Sequence, residues 1–173
     1  HYQTVYAGVP GSVETPSAGR HLTWELLRSL RRSGVTVTGV LLHCSISSLQ
    51  DDDADERKPL MEEWFSVDHT AAAEVNRAAR VIAVGTSVVR ALESSLDAQG
   101  RVVPRQGWTD LAITPDSTIH AVDALLTGLH EWPASHLDML GAFVEPALLK
   151  QAYAEARDRG YLWHEFGDTM LLI

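Results

Sequence analysis

The stretch "RVIAVGTSVVRALESS", residues 80–95, limits the possible folds more than any other part of the chain. Its apolar run reads as a buried strand over 80–84. Gly85 permits a sharp turn, and a helix starts near Thr86 or Ser87. A strand passing directly into a helix across a glycine is the repeating element of layered α/β folds.

The flanking sequence continues the alternation. Leu26, Leu27 and Leu30 recur at helical spacing over 24–32, with Arg28, Arg31 and Arg32 on another face and Gly34 as the stop. The β-branched run 35–43 predicts a strand, and 62–68 a short one. Residues 69–80 predict a helix with Thr70 as its N-cap. "DAQG" marks a turn, "WTDLAI" a further strand, and "HAVDALLTGLH" (120–130) suits helix or strand equally. Helices are predicted over about 135–143 and over 146–159, where Pro146 fits a first helical position. "GDTMLLI" reads as a closing strand. The expected architecture is a single α/β domain over 1–173 with a mostly parallel sheet flanked by helices.

Composition narrows the class. The 173 residues, 45% hydrophobic and 21% charged, suffice for a real core. No apolar run approaches the roughly 18–20 residues of a membrane span, so no membrane partner is expected. The single cysteine, Cys44, leaves no internal disulfide and fits a reducing cytoplasm. His130 and His136 lack neighbouring ligands at metal spacing, so no metal is expected. A formal net charge of −9 opposes strong nucleic-acid binding by this chain alone.

Several residues carry candidate chemistry. The turn at Gly85, with Thr86 and Ser87, aims the first helical N–H groups outward, where they can hold a carboxylate or phosphate. Arg90, about a turn later, adds a charged fork. The ordinary alternative is a capped αβ turn. In "TPSAGRHLT", His21 follows turn-forming residues and precedes a helix that Thr23 can cap. It is either a proton-handling group or a loop histidine bonded to nearby backbone. His43, at a strand end, sits where ligands bind in open α/β sheets, or is simply satisfied there. Trp108 and Asp110 in "GWTDL" can stack on and bond to a base or sugar, or act as a core indole and a cap. The Arg28, Arg31, Arg32 stripe reads as a solvated helix face.

The segments "YQTVYA", "PGSV", "P-S-A-G-x-H-x-T", "RVIAVGT", "ALES", "GWTDL", "VDALLT" and "GD-x-M-L-I" occur in one order across nearly the whole chain. That order resembles the S-adenosylmethionine:tRNA ribosyltransferase-isomerase family of queuosine biosynthesis. The resemblance implies transfer and isomerisation of the ribosyl part of S-adenosylmethionine onto a 7-aminomethyl-7-deazaguanine base in tRNA. Adenine and methionine would be released. It also implies that this chain, which starts at His1, is the C-terminal part of a longer two-domain protein. The inserted β-barrel domain would be absent, and tRNA binding would need the missing part.

Carried over by position, the resemblance marks Pro16, Ser17, Ala18, Gly19, His21 and Thr23, with serine at Ser17 where the family has threonine. It marks Val81 to Gly85, Thr86, Arg90, Leu92, Glu93 and Ser94, then Trp108, Thr109 and Asp110. Asp123, Thr127 and His130 match next, followed by Gly167, Asp168 and Met170. His21 and His43 are the expected catalytic residues. Ser17, Gly19, Gly85, Thr86, Ser87, Arg90, Trp108, Asp110 and His130 are the expected substrate contacts. Three departures stand out. The family's glycine-rich loop after its "LH" is replaced by residues 44–49, Met61 stands where a histidine is expected while Glu63 is kept, and Gly128 and Trp132 alter the loop around His130. These favour, as a second reading, a diverged member that binds S-adenosylmethionine but uses a non-tRNA acceptor. A third is a non-catalytic binding domain.

Overall fold

The computed structural model describes residues 3–44, 62–130 and 136–173, the side chain of His136 excepted. The predicted acidic loop after Cys44, Met61 and Trp132 lie outside them.

The first helix, α1 (Trp24–Arg32), has the predicted bounds. Thr23 caps it by accepting from the Leu26 N–H at 3.2 Å. Gly34 N–H donates to Arg31 and Val35 N–H to Leu30, the paired closure of a Schellman end. Of the predicted 35–43 strand only β1 (Leu41–Leu42) pairs with a neighbour. Next come β2 (Glu63–Val67) and α2 (His69–Arg77). The cap of α2 is Asp68, which accepts from Ala71 N–H at 2.7 Å, rather than Thr70, which lies inside the helix. β3 (Ile82–Val84) leads through Gly85 into α3 (Thr86–Glu93). β4 (Arg105–Thr109) overlaps the predicted strand only at Trp108 and Thr109. The ambiguous 120–130 segment holds a strand, β5 (Ala124–Gly128). α4 (His136–Leu140), α5 (Pro146–Asp158) and β6 (Thr169–Leu172) complete the order.

The expectation of a mostly parallel sheet is overturned. There are two small sheets, one ordered β1-β2-β4 and the other β3-β5-β6. The first is antiparallel throughout, and in the second only β3 and β5 run parallel. The helices explain why: α2 carries the chain from β2 in one sheet to β3 in the other, and α3 carries it back to β4. These two helices connect strands of different sheets, and α4 and α5 lead from β5 to an antiparallel β6, so β3 and β5 are the parallel pair among the described strands.

α3 is the middle layer and packs against β1 and β2 on one side and β3 and β5 on the other. Val89 and Ala91 are fully buried, and Leu92 is nearly so. Phe65, Val67, Ala83, Leu125, Leu140 and Leu172 join them in one core. The other residues of α3 are half-buried, as a helix between two sheets demands, and its polar Thr86, Ser87, Arg90 and Glu93 share the helix with the apolar ones. No helix among the described residues is long and apolar enough to cross a membrane.

Candidate active site

β3 and β5 run parallel, so their carboxyl ends open at the same edge, the usual place for a ligand crevice in α/β sheets. Gly85 ends β3 there with φ +96° and ψ 146°, a conformation that side chains resist. Its N–H donates to Leu126 at 2.8 Å, tying the bend to β5. α3 then begins without any side-chain cap, leaving its first turn, with Thr86 and Ser87, to outside partners.

Residues 11–19 curl around that turn. Ser12 Oγ donates to Leu42 O and accepts from Cys44 N–H, each at 3.3 Å, and Val13 N–H donates to Cys44 O at 3.0 Å. Cys44 Sγ in turn meets Ser87 Oγ at 3.2 Å. Burial, followed by the carboxylates of Glu63 and Glu14, pushes the Cys44 thiol up, against the Ser87 hydrogen bond and Arg90. The thiol is therefore neutral at ordinary pH.

Farther along, a short 3-10 turn (Ser17–Gly19) lies on β5. Ala18 reaches within 3.9 Å of where a Gly85 side chain would start, and Tyr6 sets its hydroxyl against the bare α-carbon of Gly19. Ser17 Oγ and His130 Nε2 each come within 3.4 Å of the corresponding point at Gly128. The structure thus brings Ser17, Gly19, Gly85, Thr86, Ser87 and His130 to one edge.

His21 sits just beyond, donating its Nε2–H to the carbonyl of Gly167. A carbonyl only accepts, so this bond fixes the tautomer and leaves Nδ1 as the basic nitrogen. Neighbouring Arg20 donates to Glu165 O at 2.7 Å, pinning the same loop to the C-terminal segment.

Four predicted residues lie elsewhere. Arg90 is turned inward, pairing with Glu63 and donating to Leu111 O at 3.0 Å and Thr109 O at 3.4 Å. Its guanidinium is committed to the interior, a correction to its reading as a substrate fork. Trp108 pairs in register with Trp64 on the face of the first sheet opposite Phe65, hence away from α3. It is 67% exposed, and Asp110 beyond it is exposed as well. His43 stacks on Trp64 with centroids 5.6 Å apart, and its Nδ1 is buried without a hydrogen-bond partner among the described residues. His43, Trp64 and Trp108 form an aromatic row on that far face, joined to the α3 turn through Cys44. A surface hollow of about 250 Å³ lies among Asn76, Val81, His120 and Asp123 at the opposite edge and holds none of the candidate residues.

Sequence reasoning missed His164, whose Cβ would stand 2.7 Å from a Cβ on Gly128 and whose ring lies 4.4 Å from that of His130. Trp163 before it has φ 67° and ψ 178°. This costs a non-glycine residue about 1–3 kcal/mol. Glu63 was noted as retained, but nothing local announced its partner, because the ion pair spans 27 positions.

A glycine bend, an uncapped helix start and a histidine-bearing loop thus meet at the carboxyl ends of the two parallel strands of a mixed α/β fold. A model of the queuosine biosynthesis protein family matches residues 1–172. The chain belongs to that family. It is 38% identical over 179 aligned residues to the S-adenosylmethionine:tRNA ribosyltransferase-isomerase of Heliobacterium modesticaldum, covering 99% of this chain and 52% of that protein. The enzyme of the same name from Carboxydothermus hydrogenoformans is 40% identical, with the same coverage. The crystal structure of S-adenosylmethionine tRNA ribosyltransferase from Thermotoga maritima superposes with a TM-score of 0.73 at 32% identity, over 90% of this chain and 51% of that one. The chain therefore spans about half the length of the curated relatives it matches.

Proposed function

We propose that this chain supplies part of the active site of a ribosyltransferase-isomerase that uses S-adenosylmethionine as ribosyl donor and modifies a 7-aminomethyl-7-deazaguanine base in tRNA. The observation that carries the reading is the convergence of the Ser17–Gly19 turn, Gly85 and His130 on the carboxyl edge of β3 and β5. Relatives that match nearly all of this chain bear the name of that enzyme.

In this reading the reaction requires loss of a proton next to the sulfonium, departure of adenine and a nucleophile held in line. His21, with Nε2–H committed to Gly167, accepts a proton at Nδ1. The uncapped start of α3, with the Thr86 and Ser87 hydroxyls, holds the carboxylate of the methionine moiety. Ser17 and Gly19 line the donor site beside His130. His43 orients, while Trp108 and Asp110 contact the acceptor base from the exposed face of the first sheet. Closure of the edge by the surrounding loops excludes water from a charged donor.

The test is adenine release from S-adenosylmethionine by the intact protein with tRNA bearing the deazaguanine amine. Release that depends on that tRNA is expected, and no release with any acceptor overturns the proposal. The net charge of −9 favours a second reading, in which the acceptor is a small molecule. Salt-sensitive tRNA binding by the intact protein would exclude it.

A further inference from the structure

The C-terminal edge of β5 carries a pair of imidazoles that no assignment above uses as a pair. His164 is brought there by construction. Its backbone N–H donates to Leu129 O at 2.9 Å, and its side chain lies against Gly128, where any larger residue would collide with it. Trp163 is held in its unfavourable backbone conformation to make this approach possible. Tyr153 stacks on the Trp163 ring with centroids 6.1 Å apart, and the Trp163 carbonyl accepts from Phe166 and Asp168 N–H. The Asp168 carboxylate locks the preceding residue through Leu162 N–H. Backbone strain sustained by so many contacts marks a position whose placement matters.

The His164 ring is tilted 35° against that of His130 at 4.4 Å, and its Nδ1 is buried with no hydrogen-bond partner among the described residues. A buried polar atom without a partner in a ring that faces a ligand edge calls for a partner from the ligand. An imidazole at this position can donate a proton to a ligand atom and take one back.

We propose that His164, paired with His130 over Gly128, is the catalytic acid that protonates the purine leaving group. This rests on the ribosyl-transfer reading. As the C–N bond between ribose and adenine breaks, its electron pair stays on the purine nitrogen. The imidazolium proton forms the new N–H bond, so adenine leaves neutral and the histidine pair is left uncharged. Solvent, or the proton taken up elsewhere in the cycle, restores the acid. Among the other titratable or charged groups nearby are Glu165 on the same turn, Lys150, Tyr153, Glu155, Arg157 and Asp158 of α5, Arg20 on the Glu165 carbonyl, His21 on the Gly167 carbonyl and Asp168 on Leu162. The last three are bonded to backbone. Burial pushes the Tyr153 hydroxyl up to about 12, so it stays protonated near neutral pH.

The experiment compares wild type, His164→Gln and His130→Gln in the intact protein, following adenine release against pH under saturating S-adenosylmethionine and tRNA. Wild type is expected to lose rate on the alkaline side as the acid deprotonates. His164→Gln should lower kcat by roughly 10²- to 10⁴-fold and abolish that limb, with KM for the donor little changed. Added imidazole should restore part of the rate in His164→Gly, and a donor whose purine is a better leaving group should lessen the defect in His164→Gln. Folding is monitored separately by circular dichroism and donor binding. A folded His164→Gln protein with wild-type rate and pH profile, or a defect rescued by neither route, overturns the proposal and leaves the ribosyl-transfer reading standing. No adenine release by wild type overturns both.

Discussion

Arg90 and Glu63 form an ion pair in the interior between α3 and the first residue of β2, with side chains only 12% and 9% exposed. The remaining donors of Arg90 reach the carbonyls of Leu111 and Thr109, so one guanidinium ties the middle helix to two strands and the loop after them. This explains why an arginine sits in a helix whose other faces are buried: its charge is paired and its donors are used.

Removing either partner leaves a buried charge. Arg90→Met should lower unfolding free energy by about 3–5 kcal/mol. Arg90→Lys should recover only part, because an ammonium lacks the planar fork that serves three acceptors at once. Urea unfolding of the three proteins checks this. A loss below about 1 kcal/mol in Arg90→Met would show the pair to be incidental.

Legibility in the sequence followed the range of the interactions. The bounds of α1, the strand–Gly85–helix unit and Pro146 at the start of α5 were readable, because each is set by neighbours within a turn or two. The 35–43 segment was not. Its alternating β-branched residues favour extended backbone, but only Leu41 and Leu42 find a partner strand, and Val35 remains 47% exposed. Sheet direction also escaped, since nothing local says that a helix returns its chain to a different sheet. At the site, Gly85, Ser17 and His130 were visible as residue types. The inward turn of Arg90, the far-face position of Trp108 and the approach of His164 depend on contacts between distant segments.

Gly128 and His164 make a second measurable coupling. Gly128→Ala would place a Cβ 2.7 Å from that of His164, so it should destabilise the fold by about 1–3 kcal/mol. Combined with His164→Gly the cost should shrink, giving a coupling energy well outside the additivity of distant sites. Thermal unfolding of the two single variants and the double closes the cycle. Strict additivity would contradict the contact.

Tyr153 predicts an alkaline instability. Burial favours its neutral form in the folded chain and pushes it up to about 12, against an ordinary value of 10.0. Below pH 10 the hydroxyl is protonated in both states and its contribution is fully present. Above pH 10 the unfolded chain ionises first, so stability is lost between about pH 10 and pH 12. Tyr153→Phe should flatten that part of the curve. Unfolding free energies at pH 9 and pH 11.5 provide the comparison, and equal losses in both proteins would remove Tyr153 as a cause.

Cys44 offers a direct probe of the α3 turn because it is the chain's only cysteine and touches Ser87. With its thiol held neutral by burial, alkylation by iodoacetamide at pH 8 should be at least roughly tenfold slower in the folded protein than in urea. If the Gly85–Ser87 turn holds the donor carboxylate, saturating S-adenosylmethionine should slow the reaction further by covering the Ser87 side of the thiol and stabilising the folded chain. Ser87→Ala should weaken that protection relative to its own unliganded rate, which itself falls because the hydrogen bond that opposes the raised thiol is gone. Rates followed by mass spectrometry distinguish the outcomes. Protection that is absent in wild type, or undiminished in Ser87→Ala, would place the donor away from the start of α3.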